Sequence, residues 1–249
     1  DRPVLGGNAS SEMRMGIVGT KIDDTQETGI LEEMQLRNFY YNPLQRYTMW
    51  DDAIYSTVVS EPNITLLLNT SVNDVVMNGE RIAAVKAWNI NAYTEYKING
   101  TIFADCTGDG ILRLSGAKYR HGRENPAEFN ENCQAEGDDT KTMGNSILIQ
   151  LRKTDVDVPF KAPEWAYHFT DADFDYTVPE STIPGMKFNY KRIYHPHDNN
   201  FWWCEFGGNF DTIADANDIQ YELKRIVYGI WEYMKNHPDG RGKGYELDW

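Results

Sequence analysis

Asn78-Gly79 stands between two β-rich runs, residues 72–77 and 81–88, and an Asn-Gly pair in that setting is the strongest short-range signal for a hairpin. The device recurs at Asn99-Gly100, between residues 93–98 and 101–105, and a short apolar run at 64–69 precedes both. The spacing predicts an antiparallel meander of short strands with the 64–69 run buried. It runs directly into Cys106-Thr107-Gly108-Asp109-Gly110. There a strand is expected to end in a glycine-rich turn that opens a small-residue helix over 111–116.

Helical periodicity flanks the meander. Residues 27–41 place Ile30, Leu31, Met34 and Phe39 roughly on one face before Asn42-Pro43, and residues 51–60 do the same with Ile54, Tyr55, Val58 and Val59 before Glu61-Pro62-Asn63. Beyond the meander, residues 120–139 read as a polar loop, 145–151 as a strand and 201–206 as an aromatic-rich strand closed by Gly207-Gly208. Ile219, Leu223, Ile226, Val227, Ile230, Trp231 and Met234 recur at three- and four-residue steps, the cleanest amphipathic helix in the chain, and Pro238-Asp239-Gly240 stops it.

Charge and cysteine content narrow the function classes. With 24 Lys+Arg against 38 Asp+Glu the formal charge is −14, which disfavours general nucleic-acid binding because phosphate neutralisation needs clustered cations. No apolar run approaches the roughly 18 residues a membrane span requires. Three cysteines without CxxC spacing suggest neither a disulfide framework nor a zinc knuckle, and the redox compartment stays open. His195-Pro196-His197-Asp198 with His121, His168 and Cys204 could be assembled into a metal site, but His-x-His across a proline reads better as a polar loop, so no metal is expected. Asp171, Asp173, Asp175 and Glu180 could supply a glycosidase pair, yet so acidic a chain produces such coincidences. Trp165, Tyr167, Trp202 and Trp203 could stack on sugar rings or fill a core.

Two segments carry more information together than apart. Leu5-Gly6-Gly7-Asn8-Ala9-Ser10-Ser11-Glu12 is a glycine pair followed by small hydroxylated residues, which lets backbone pass close to a ligand with its amides free. About a hundred residues later, Thr107-Gly108-Asp109-Gly110 offers a second close approach and a carboxylate. Each alone reads as a turn. In this order, with a meander between them and with Phe103-Ala104-Asp105-Cys106, Leu114-Ser115-Gly116-Ala117 and Gly122-Arg123-Glu124 in step, the chain resembles the FAD-dependent oxidoreductases with a glutathione-reductase-like FAD/NAD(P)-binding fold, in particular their bacterial branch.

The resemblance implies an α/β fold, α+β within these residues: residues 1–118 as the remaining part of an FAD-binding domain with its β-meander, 119–210 as an inserted antiparallel β-rich substrate domain, and 211–249 as a helix returning to the first. It implies FAD as cofactor, with Leu5, Gly6, Gly7, Asn8, Ala9, Ser10 and Ser11 on one side and Thr107, Gly108, Asp109 and Gly110 on the other. The implied reaction moves a hydride from a small polar substrate, which could be a carbohydrate, to the flavin. His121, Arg123 and Glu124 are the candidates for catalytic groups, placed just beyond the cofactor turn.

The chain departs from the family in containing no GxGxxG, the loop whose helix receives the pyrophosphate. The expectation is therefore a piece of a longer flavoprotein, inactive alone and without a tight grip on FAD, with an apolar patch near its N-terminus and last helix through which it could self-associate. The alternative reading is a carbohydrate-binding or polysaccharide lyase-like module.

Overall fold

The computed structural model describes residues 1–17, 28–108, 110–130, 139–174 and 200–248. Among these residues the fold is mixed α/β, with helices and two small antiparallel sheets. The chain divides into two compact units, Asp1–Tyr119 and Arg120–Trp249.

In the first unit, helix α1 (Gly29–Tyr41) and helix α2 (Tyr47–Val59) pack together. Asn42 splices them. Its Nδ2 donates to Arg46 O at 2.8 Å and its Oδ1 accepts the Arg46 amide at 2.8 Å, so the turn closes on itself and α2 starts at Tyr47, four residues before the expected start at Asp51. Strands β1 (Thr70–Asn78), β2 (Arg81–Asn89) and β3 (Thr94–Asn99) follow in the antiparallel order β1-β2-β3. Ala84, Val85 and Ala87 on β2 are buried. Asn78 pairs with Arg81, so the turn residues are Gly79 and Glu80. Gly79, at φ +61, takes the first turn position where left-handed backbone is required.

Several expectations fail here for local reasons. Asn99-Gly100 turns no hairpin: β3 ends at Asn99, the Phe103 ring lies against Gly100, and residues 101–105 form no strand. The hairpin into β3 is instead made by residues 90–93, where Asn89 Oδ1 accepts the amides of Asn91 and Ala92 at 3.1 and 2.7 Å. Residues 64–69 form no strand either, because Asn69 turns left-handed at φ +52, and their side chains range from half-buried to exposed.

In the second unit, β4 (Asn145–Lys153) is the centre of an antiparallel sheet ordered β5-β4-β6, with β5 at Asn200–Phe206 and β6 at Tyr245–Leu247. After a short helix α3 (Pro126–Phe129), the long helix α4 (Ala216–Asn236) packs on β4 and β5. Its apolar stripe makes the core: Ile219, Leu223, Ile226, Val227, Ile230, Trp231 and Met234 are each no more than 3% exposed and meet Ile149, Leu151, Cys204 and Phe206. Burial pushes the Cys204 thiol up to about 12. Residues 160–169 strap the helix from outside, and the last helix thus packs within the β-rich unit. Of the patch expected near the N-terminus and the last helix, the stripe on 219–234 is core, while Tyr221 on the same helix stays exposed. Exposed apolar side chains lie instead on α1, at Ile30, Leu36, Phe39 and Tyr40.

Lys235 ends the helix with a buried ammonium. Its Nζ donates to Asp157 Oδ1 at 2.5 Å, Tyr245 O at 2.9 Å and Gly242 O at 3.2 Å, so all three donors are satisfied and β6 is tied to α4. No described helix is long and apolar enough to cross a membrane.

Candidate functional site

Gly6 and Gly7 run left-handed at φ +107 and +55, a course that residues with a Cβ resist, and lead into a single 3-10 turn, Gly7–Ala9. The loop is held from behind by α2. A Cβ on Gly6 would stand 2.9 Å from Ile54 Cδ1, and the Ser11 amide donates to Asp51 Oδ1 at 2.8 Å. Fully buried Ser10 donates its hydroxyl to Gly7 O at 2.7 Å and accepts the Glu12 amide at 3.2 Å. The Arg2–Glu12 ion pair at 2.8 Å and the Asn69 amide on Arg2 O at 3.0 Å tie the root of the loop to the start of β1. Leu5 and Ala9 are half-buried, whereas Gly6, Gly7 and Asn8 are exposed. Nothing lies within 4 Å of a Cβ placed on Gly7, and the amides of Gly7 and Asn8 meet no acceptor among the described residues.

The second segment is organised by Asp105. Its Oδ1 accepts the Thr107 amide at 3.0 Å and the Thr107 hydroxyl at 2.7 Å, and its Oδ2 accepts the Ile111 amide at 3.0 Å. Thr107 Oγ1 in turn accepts the Gly110 amide at 3.0 Å. Thr107, Gly108 and Gly110 are exposed, Gly108 sits at φ +88 with open space beside it, and Gly110 sits at φ +69. Asp109, named from the sequence as a cofactor contact, lies outside the described residues. The helix expected over 111–116 is one 3-10 turn, Leu112–Ser115, closed by left-handed Gly116, and it packs beside β1.

Both segments thus belong to the first unit and present bare main chain at left-handed glycines, Gly7 and Gly108. Among the described residues no hydrogen bond joins one to the other. Such surfaces can take a planar ring or a phosphate at van der Waals distance and offer it N–H groups. Sequence reasoning missed the two carboxylates that shape them. Asp105, two residues before a Thr-Gly, carried a usable signal, since Asp bonds backbone two residues on. Asp51 carried none.

His121, Arg123 and Glu124 fall in the second unit. Arg123 is committed to Asp139 through a bidentate ion pair, Nε lying 2.9 and 3.1 Å from its two oxygens, and a two-way backbone bridge. The guanidinium holds the Asp139 carboxyl down at about 2. Glu124 pairs with Arg120 at 3.2 Å. His121 is exposed. Among the described residues no group of three or more His, Cys, Asp or Glu could hold a metal ion; His195 and His197 lie outside them, His168 pairs with Glu232 at 2.8 Å and Cys204 is in the core.

No curated protein and no solved structure matches the chain. The family model for FAD dependent oxidoreductases does match, over residues 1–248, which takes in both glycine segments and the second unit. The chain belongs to the FAD dependent oxidoreductase family.

Proposed function

We propose that these residues form one side of the flavin site of an oxidoreductase that takes a hydride from a small polar substrate. The observation that carries the reading is the pairing of two exposed, left-handed glycine turns, each braced by a carboxylate behind it, within one unit. Gly6, Gly7 and Asn8 would lie along the adenosine and pyrophosphate, and Thr107, Gly108 and Gly110 would face the cofactor from the other segment. When bound, FAD supplies the electron sink. The protein's part is orientation and exclusion of water: Asp51 and Asp105 fix the two turns so that their free amides are pre-aimed.

The β-rich second unit would serve as the substrate domain. The acid–base group is open, since Arg123 and Glu124 are engaged in ion pairs. Without a GxGxxG helix among these residues the pyrophosphate lacks its usual positive dipole in a chain of charge −14. The residues alone would accordingly bind FAD loosely and turn nothing over.

The test joins them behind a GxGxxG strand–helix–strand unit of the family. The joined protein should be yellow and should bleach anaerobically with a small alcohol or amine donor, and Gly7→Val with Gly108→Val should remove the colour. A colourless joined protein, or colour indifferent to both changes, overturns the reading.

A further inference from the structure

The second unit carries an open groove of 410 Å³ beside the first turns of α4, within the size range of small-ligand sites. Phe206 and Phe210 both line it, with ring centroids 5.7 Å apart. Phe206 is buried, but Phe210 keeps 48% of its surface exposed. Asp215, Asp218 and Glu222 come from one helix face, at steps of three and four residues, and line the same groove. Glu222 is neutralised by Arg225 at 2.9 Å and accepts the Tyr167 hydroxyl at 2.7 Å. Asp215 accepts the Asp211 amide at 3.2 Å. The Asp218 carboxylate has neither cation nor donor among the described residues.

The helix dipole accounts for acids near this end of α4. It does not account for a half-exposed phenyl ring set against them around a cavity. A second aromatic surface is formed by Tyr221, in the same turns of α4, and Trp165 of the strap: they are 53% and 42% exposed, with ring centroids 6.4 Å apart at 33°.

We infer that this groove is a carbohydrate site, selective for neutral or amine-bearing sugars. Pyranose rings present C–H faces that stack on aromatic rings, while their hydroxyls donate to carboxylates, which only accept. Uronic acids would meet two un-neutralised carboxylates on a chain of charge −14 and be repelled. An oligosaccharide leaving the groove would continue onto Trp165 and Tyr221. The inference needs no flavin and stands apart from the reading of the first unit.

The test immobilises the full chain against a panel of neutral, amino and uronic oligosaccharides at low salt, followed by calorimetry on the best binder. Neutral or amino oligomers should bind and oligogalacturonate should bind at least about tenfold more weakly; Phe210→Ala should weaken the best binder about tenfold or more. Trp165→Ala should weaken longer oligomers but not monosaccharides. Phe210 and Trp165 are partly exposed, and an unchanged circular dichroism spectrum shows that each variant folds. No binding across the panel, equal binding of uronates, indifference to Phe210→Ala, or displacement of the sugar by an equal concentration of a simple alkylamine each overturns the proposal.

Discussion

The backbone amide of Ser11 donates to Asp51 Oδ1 at 2.8 Å across forty residues of sequence, and Asp51 is 8% exposed. A main-chain loop and a helix side chain are thereby fixed to each other where the glycine pair leaves the helix surface. A hydrogen bond to a charged group of this kind contributes roughly 1.5–3 kcal/mol. Asp51→Ala should destabilise the first unit by about that amount and speed hydrogen exchange at Ser11. Asp51→Asn, which keeps an acceptor, should cost less. Unchanged exchange in Asp51→Ala would remove Asp51 as the anchor.

A Cβ built on Gly229, in the middle of α4, would stand 2.2 Å from the Tyr167 carbonyl oxygen. Main chain cannot give way as a side-chain tip can, so Gly229→Ala must push the 160–169 strap outward. The helix gains about 1 kcal/mol in propensity, and overpacking costs roughly 1–3 kcal/mol. The net expectation is a loss of about 1 kcal/mol in denaturant unfolding, with faster exchange of the Tyr167 amide, which donates to Arg225 O at 3.1 Å. A more stable variant would show that the strap does not press on the helix.

Asp139 is depressed to about 2, chiefly by its hydrogen bonds with Arg123. A carboxylate lowered on folding adds stability above its unfolded value, near 3.9, and that contribution is lost as pH falls through the folded value. The bridge between residues 123 and 139 should therefore persist at pH 3 and open near 2. Carbon-13 titration of the Asp139 carboxyl should give a midpoint near 2, and Arg123→Gln should return it toward the ordinary range. A midpoint near 3.9 in the unaltered chain would contradict the pairing.

What was legible in the sequence divides along physical lines. The β1–β2 hairpin and α4 were readable because their signals are local and mutually consistent: a turn glycine between β-rich runs, and apolar residues recurring over about four turns of helix. Strand β6 was not, since three residues after Gly242-Lys243-Gly244 have no period and become a strand only by pairing with the end of β4. Asn99-Gly100 misled because a turn signal needs a second strand to pair back, and here the Phe103 ring, three residues on, lies against Gly100 while among the described residues β3 pairs only with β2. The glycine segments were found through their composition. Their left-handed angles follow from glycine, whereas the bracing by Asp51 lies forty residues away and needs the fold.

The central claim is that Gly6, Gly7 and Asn8 on one segment and Thr107, Gly108 and Gly110 on the other face the flavin, and the most direct measurement is amide chemical-shift mapping of the isotope-labelled chain titrated with FAD. The account predicts saturable shifts centred on Gly6, Gly7, Asn8, Thr107 and Gly108, with an affinity weaker than about 10 μM because no GxGxxG helix is present to receive the pyrophosphate. Shifts that spare both turns, or that centre on residues 120–248, would contradict it.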